Sequence, residues 1–274
     1  MRDQFKFRTV ILESSIELSY YWLPLIGFVV GLIATMVGGN GAFFFPPTLI
    51  LLFGIDPHVA IATSLAAVIP IGLIGSAEHY RRNNINLPVG LVFGGFGMLG
   101  ALLGALISGY LEAASLIKAF GVYSVMLGLL TMRRPKNIDK AVNTIPENFS
   151  KIQRKKLPLM ISVGFIAGIV AGLFGTSGTA PVLAGLFLLH FPVKLVIGTS
   201  VMVVFMNAIF GFGGHLLLGE IDLELIFLLG SGAAIGAFFG PRLLVKIHPE
   251  RKEGKLRYAF AAIIIALGLL LITR

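Results

Sequence analysis

The chain has 274 residues, 56% of them hydrophobic and only 13% charged, with a mean hydropathy of +0.91; soluble domains carry about 25% charged residues, so an ordinary soluble protein is excluded. The net charge of +9 falls in loops between apolar runs instead of an aromatic-interleaved patch, so it reads as membrane topology and not as nucleic-acid binding. With no cysteine, disulfides, thiolate metal sites and cysteine nucleophiles are excluded as well.

Residues 1–19 form a lead-in of mixed charge. Glu13 and Glu17 interrupt its apolar residues, and no clean signal-peptide core is expected there. An apolar helix is predicted from Tyr20 to Val37, broken at Gly38, Gly39, Asn40 and Gly41, with a shorter helix after Pro46-Pro47. Asp56-Pro57 opens the next span, because proline is preorganised for the first helical position. That span ends near His79; a basic turn at Arg81-Arg82 follows, then a glycine-rich span from Leu87 to Tyr110 and another from Ser115 to Met132. Membrane repeat 1 is thus 20–132, a basic cytoplasmic linker occupies 133–157, and repeat 2 fills 158–274.

The halves match in register. Gly27, Gly31, Gly38 and Gly41 align with Gly164, Gly168, Gly175 and Gly178; further on, Thr63-Ser64, Gly75, His79, Ile85, Gly94, Gly100 and Gly104 align with Thr199-Ser200, Gly211, His215, Ile221, Gly230, Gly236 and Gly240. The fold class expected is an all-α polytopic membrane protein of two homologous repeats. Each has a broken or re-entrant helical hairpin followed by three transmembrane helices. A hairpin that dips in and returns leaves three crossings per half and inverts the repeats, whereas a broken helix that crosses leaves them parallel. Inversion gathers most Lys and Arg on the linker side, as the positive-inside rule prefers.

Unpaired backbone groups cost several kcal/mol in hydrocarbon, so a glycine-rich break persists only where protein buries it or where it lines a polar cavity. Paired breaks in two halves point to a transporter site, and a restarting helix offers unpaired N–H groups to an anion. Gly38, Gly39, Asn40 and Gly41, with Gly175, Thr176, Ser177 and Gly178, are therefore candidate substrate-binding residues. Thr63, Ser64, Thr199 and Ser200 either back-bond to their own helices or face the hairpins. Asn207, deep in its span, must face a helix partner or a wet cavity. His79 and His215 occupy equivalent helix ends, as solvated groups or as proton-coupling residues. The glycines at 90, 94, 100, 104, 230, 232, 236 and 240 read as helix-packing positions. No metal-ligand spacing and no serine or Walker motif is present, so neither a metal, nor a cofactor, nor a catalytic residue is expected.

One family combines these features. The glycine break followed by prolines, the run Gly54, Pro57, Ala60, Thr63, Ser64, the helix ending at His79, Arg81 and Arg82, and the second glycine-rich half resemble the sulfite exporter TauE/SafE family over residues 20 to 274. The resemblance implies a secondary transporter of the cell membrane that moves sulfite or small organosulfonates such as sulfoacetate, mostly by export. The chain departs from the pattern in its shortened glycine tracts, and in Pro192 and Lys194 where the first half has Asp56 and His58. An anion channel, or a transporter of sulfate or a carboxylate, stays open as an alternative. The partners expected are a small anion and the lipid bilayer, with a homodimer compatible with the sequence.

Overall fold

The computed structural model describes residues 18–36, 40–132, 149–176, 178–219, 221–244 and 253–273. Among these the regular secondary structure is helical throughout. After a 3-10 turn at Leu18–Trp22 come α1 (Leu23–Met36), a second 3-10 turn (Asn40–Phe44), α2 (Phe45–Leu52), α3 (Pro57–Arg81), α4 (Leu87–Tyr110) and α5 (Ala113–Met132). The second half supplies α6 (Phe149–Phe174), α7 (Thr179–Leu188), α8 (Val193–Leu218), α9 (Leu223–Leu244) and α10 (Glu253–Thr273). Helix α6 begins inside the stretch expected as linker; residues 1–17 of the lead-in and 133–148 of the linker lie outside the described residues.

Local chemistry sets the helix starts. Pro57 sits in the first turn of α3, and the Asp56 carboxylate accepts the His58 N–H at 2.9 Å. Asn86 caps α4 by accepting from Val89 N at 3.1 Å, and Asp222 caps α9 by accepting from Glu224 N and Leu225 N. Each cap satisfies a donor that the helix itself leaves unpaired.

Among the described residues, six helices are long and apolar enough to cross a membrane: α3, α4, α5, α8, and the Lys156–Phe174 and Leu223–Gly240 parts of α6 and α9. A helix rises 1.5 Å per residue, so about 20 residues cross a hydrocarbon core of about 30 Å. The limbs α2 (Phe45–Leu52) and α7 (Thr179–Leu188) are far too short for that. Helices α3 and α8 are the most enclosed spans. The outer faces of α4 and α5 expose Leu91, Leu99, Val122, Met126 and Leu129, apolar side chains suited to lipid and not to water.

Glycine contacts fix helix directions. Along α1 and α9, Pro24 lies over Gly232 and Phe28 over Gly236, so the two run parallel; along α4 and α6, Phe93 meets Gly164, Gly97 meets Gly168 and Ala101 meets Gly172, also parallel. Helices α3 and α8 run antiparallel, since Gly75 faces Val201, Gly72 faces Phe205 and Leu65 faces Gly211. So do α5 and α10, where Gly121 faces Gly268 and Gly128 faces Ala261. Helix α4 runs parallel to α8, with Gly90 on Met202 and Gly97 on Asn207. Hence α6 and α8 share one direction, and the α6–α7 hairpin between them returns the chain to the side it entered from. By the same steps α1 follows α9, which reverses α8 across a short turn, so α1 and α3 also share a direction. Exchanging the halves maps these pairings onto one another: α1–α9 onto α6–α4, and α3–α8 and α5–α10 onto themselves.

Candidate functional site

The second break is the better described. Helix α6 ends at Phe174, Gly175 takes a left-handed conformation (φ 65°), and Gly178 does so again (φ 57°) before α7 starts. Only glycine enters that region at no steric cost. The Gly175 N–H closes the end of α6 on Ala171 O at 2.9 Å. In the first break, Gly38 and Gly39 lie outside the described residues, as does Ser177 in the second, and Asn40 begins the 3-10 turn that leads into α2.

What surrounds the break glycines differs from expectation. A Cβ on Gly41 would stand 2.6 Å from Ala34 N, and one on Gly178 would overlap Ala167 O, both on the first limb of the same hairpin. These glycines close the hairpins on themselves, in the way small residues let membrane helices approach. Gly175 instead seats the tip on α3, where its Cβ would meet Ile61 Cα at 2.7 Å. The packing assignment holds at Gly94, against Met206 Sδ, and at Gly100, Gly104, Gly236 and Gly240. It fails at Gly230, where a Cβ would find only Ala67 Cα, at 4.0 Å; Pro70 occupies the position where the other half has the long side chain of Met206.

The helix starts are not equal as anion donors. Pro46 and Pro47 remove two of the first N–H groups of α2, whereas α7 loses only the one at Pro181. The α7 end therefore carries more of the donor capacity that helix starts offer to anions.

Around the second tip three elements converge. Gly175 lies against Ile61 of α3, and a Cβ on Gly211 of α8 would stand 3.2 Å from Leu65 Cδ1 of α3 and 3.5 Å from Gly172 Cα of α6. Buried side chains on these elements carry polar atoms with no hydrogen-bond partner among the described residues: Thr63 Oγ1 on α3, Thr176 Oγ1 at the tip, and both amide atoms of Asn207 on α8. The Asn207 amide lies over Gly97 of α4, where a Cβ would overlap its Oδ1. Burying an unpaired amide or hydroxyl costs roughly 1–3 kcal/mol by mutational measures; Thr176 lies at the tip and Asn207 one turn before Gly211 on α8, whereas Thr63 stands on the other face of α3 from Ile61 and Leu65.

Four of the other predicted residues, Ser64, Ser200, Thr199 and His215, are used by the protein itself. Ser64 Oγ donates to Ala60 O at 2.6 Å and Ser200 Oγ to Ile197 O at 2.8 Å, the helix back-bonding anticipated for them. Thr199 Oγ1 accepts the Asn86 N–H at 2.9 Å, joining α8 to the start of α4. His215, fully buried, places Nε2 2.9 Å from Gly172 O. His79 is also buried rather than solvated; it lies against the main chain of Thr35 but outside hydrogen-bonding geometry. Sequence reasoning alone misses Asn86, Thr35 and Gly172. Asn86 carries a usable signal, since it stands 136 residues before Asp222, the same spacing as Thr63 and Thr199.

A family model described as Sulfite exporter TauE/SafE matches residues 23–271. Among curated proteins, the chain is 28% identical over 219 residues to the probable membrane transporter protein YdhB of Bacillus subtilis, covering 80% of this chain and 87% of that protein. It is 25% identical over 271 residues to the probable membrane transporter protein YunE of the same organism, covering 93% and 98%. It is 26% identical over 265 residues to the probable membrane transporter protein MJ0441 of Methanocaldococcus jannaschii, covering 91% and 94%. No solved structure matches.

Proposed function

Because the chain belongs to the sulfite exporter TauE/SafE family, and is therefore a multi-pass membrane transporter, we propose that it is a secondary transporter of a small oxyanion, sulfite or an organosulfonate such as sulfoacetate, in the cell membrane. The observation that carries this reading is the pair of buried donors Asn207 and Thr176, unpartnered among the described residues, on elements that meet at the second hairpin tip. Both side chains can donate a hydrogen bond, which suits an anion's oxygens. The start of α7, which no side chain caps, adds backbone N–H groups and a dipole of the same sign.

We read the two halves as inverted repeats. Supporting this, the equivalent helices α3 and α8 cross antiparallel, as do α5 and α10, and each half keeps three helices after a hairpin that returns. Transporters of this construction place substrate between the repeats and rock one against the other. His79 and His215, at equivalent positions, are the candidates for proton coupling in such a cycle.

Purified protein in liposomes is expected to take up or release sulfite and sulfoacetate with saturation, and Asn207→Leu is expected to raise KM or abolish transport. Flux that rises linearly with concentration would identify a channel. Saturable transport of sulfate or a carboxylate with none of sulfite or sulfonates would move the substrate to that alternative.

A further inference from the structure

Thr199 and Thr63 are equivalent residues with different surroundings. Thr199 Oγ1 accepts the Asn86 N–H at 2.9 Å, at the end of the molecule shared by the α3–α4 turn and the start of α8. The residue equivalent to Asn86 is Asp222, again 136 positions on, and both are N-caps of the following helix. Yet Thr63 Oγ1, fully buried, has no hydrogen-bond partner among the described residues, Asp222 included. The same asymmetry extends two turns deeper: a Cβ on Gly94 of α4 would meet α8 at Met206, whereas one on Gly230 of α9 would find only Ala67 Cα of α3, at 4.0 Å. Among the described residues, the threonine-to-backbone bond between repeats is formed at one end of the molecule and missing at the other.

Resting on the inverted-repeat transporter reading, we propose that Thr199–Asn86 and Thr63–Asp222 are two alternative latches: the first closes the linker end, and the second, formed when the first opens, closes the far end. Asn86 and Asp222 are then positioning residues for transport, each offering its backbone N–H to a threonine of the other repeat. Inversion makes the exchange natural, since rocking one repeat against the other converts the environment of each half into that of its mate. Thr63 is the residue whose second environment is missing from this state. A buried hydroxyl oxygen without a donor is costly to keep, and the far-end latch would satisfy it.

The sequence also sets which latch is favoured. Gly198, just before Thr199, leaves room for the Asn84 carbonyl, which a Cβ there would overlap. The equivalent residue before Thr63 is Ala62, whose methyl group obstructs the same approach at the far end. The linker-end latch is thereby the resting one.

The protein has no cysteine, so crosslinks report without background. Cysteines at 86 and 199, and at 63 and 222, are introduced in one chain and treated with a short bis-thiosulfonate reagent, which tolerates more variation in geometry than a direct disulfide. Each pair loses one helix cap and one threonine, so the two are matched. Intact mass with peptide mapping is expected to find either crosslink in a molecule but not both, with 86–199 predominant. In chains carrying only the 63–222 pair, Thr199→Val with Ala62→Gly is expected to raise the crosslinking rate several-fold over the parent pair. Molecules holding both crosslinks, or a 63–222 pair that does not crosslink even with Thr199→Val and Ala62→Gly, overturn the proposal. These readouts need no substrate, so a failure to transport sulfite or sulfonates would count against the assigned cargo and leave the latch result standing.

Discussion

Nε2 of His215, near the end of α8, lies 2.9 Å from the carbonyl oxygen of Gly172 in the last turn of α6. A carbonyl only accepts, so Nε2 carries the proton and donates. The last carbonyls of a helix have no partner within it, and Gly172 is buried, so His215 supplies the bond that lipid cannot. His215→Leu is expected to cost about 1–3 kcal/mol of stability, the range for leaving a buried acceptor unpaired, and His215→Gln, which keeps a donor, less. His79 does not reach hydrogen-bonding geometry with Thr35, its equivalent neighbour, so His79→Leu should cost less than His215→Leu. Thermal unfolding in detergent measures all three; equal losses for the two leucine variants would refute the assigned difference.

Asn207 separates cargo binding from packing. Its amide has no partner among the described residues and faces the backbone of Gly97, so Asn207→Leu removes polar atoms that the described fold does not use. Folding stability is expected to stay level or rise, while transport falls by the equivalent of roughly 1–3 kcal/mol in affinity, about one lost polar contact. Gly97→Ala should lower transport as well by displacing the amide, with a loss of stability from the overlap that Asn207→Leu does not share. Normal transport with lowered stability would place Asn207 in a helix contact instead.

The hairpins are legible in the sequence because glycine and proline act locally: the left-handed turns at Gly175 and Gly178 and the restart of α7 follow from residue chemistry alone. The matched residues in register are legible for the same reason. What Gly41 and Gly178 face is not, since whether the space beside a glycine holds a ligand or another backbone depends on tertiary approach, and Ala34 and Ala167 fill it here. Thr199 illustrates the limit further. Its spacing marks it as polar and internal, but its partner, Asn86, lies 113 residues away, beyond any local pattern. His79 and His215 sit at helix ends in sequence, where solvation is the ordinary expectation, yet the packed fold buries both.

Glycines with equal helix propensity should split by surroundings. Gly95 and Gly213 have nothing within 4 Å of where a Cβ would stand, so alanine there is expected to be neutral or to stabilise by up to about 1 kcal/mol, the helix-propensity gain. At Gly178 alanine overlaps a carbonyl oxygen in a left-handed conformation, and that conformation alone costs roughly 1–2 kcal/mol. Gly178→Ala should therefore lower the melting temperature sharply and expose the hairpin to proteolysis. An unchanged melting curve would mean that the tip does not close on α6 as described.

Helix direction yields the last test. Helix α3 ends at Arg81, α5 ends at Met132 and α6 begins at Phe149; because α3 and α5 both run opposite to α4, the α3–α4 turn and the linker share one side. Helix α8 runs with α4, so its turn into α9 emerges on the other side. The basic residues Arg81, Arg82, Arg133, Arg134 and Lys136 lie at or beside the first two connections, which the positive-inside rule assigns to the cytoplasm. Single cysteines at Arg81 and at Asn143 in the linker are expected to react with an impermeant maleimide only after the membrane is opened. A cysteine at Leu223, an exposed position at the start of α9, should react in intact cells. If the α6–α7 segment crossed the membrane instead of returning, α8 would start on the far side and end on the linker side, carrying Leu223 to the same side as Arg81. A Leu223 cysteine protected in intact cells together with those at Arg81 and Asn143 would show that crossing, and the returning hairpins, the inverted repeats and the paired latches would all fall with that result.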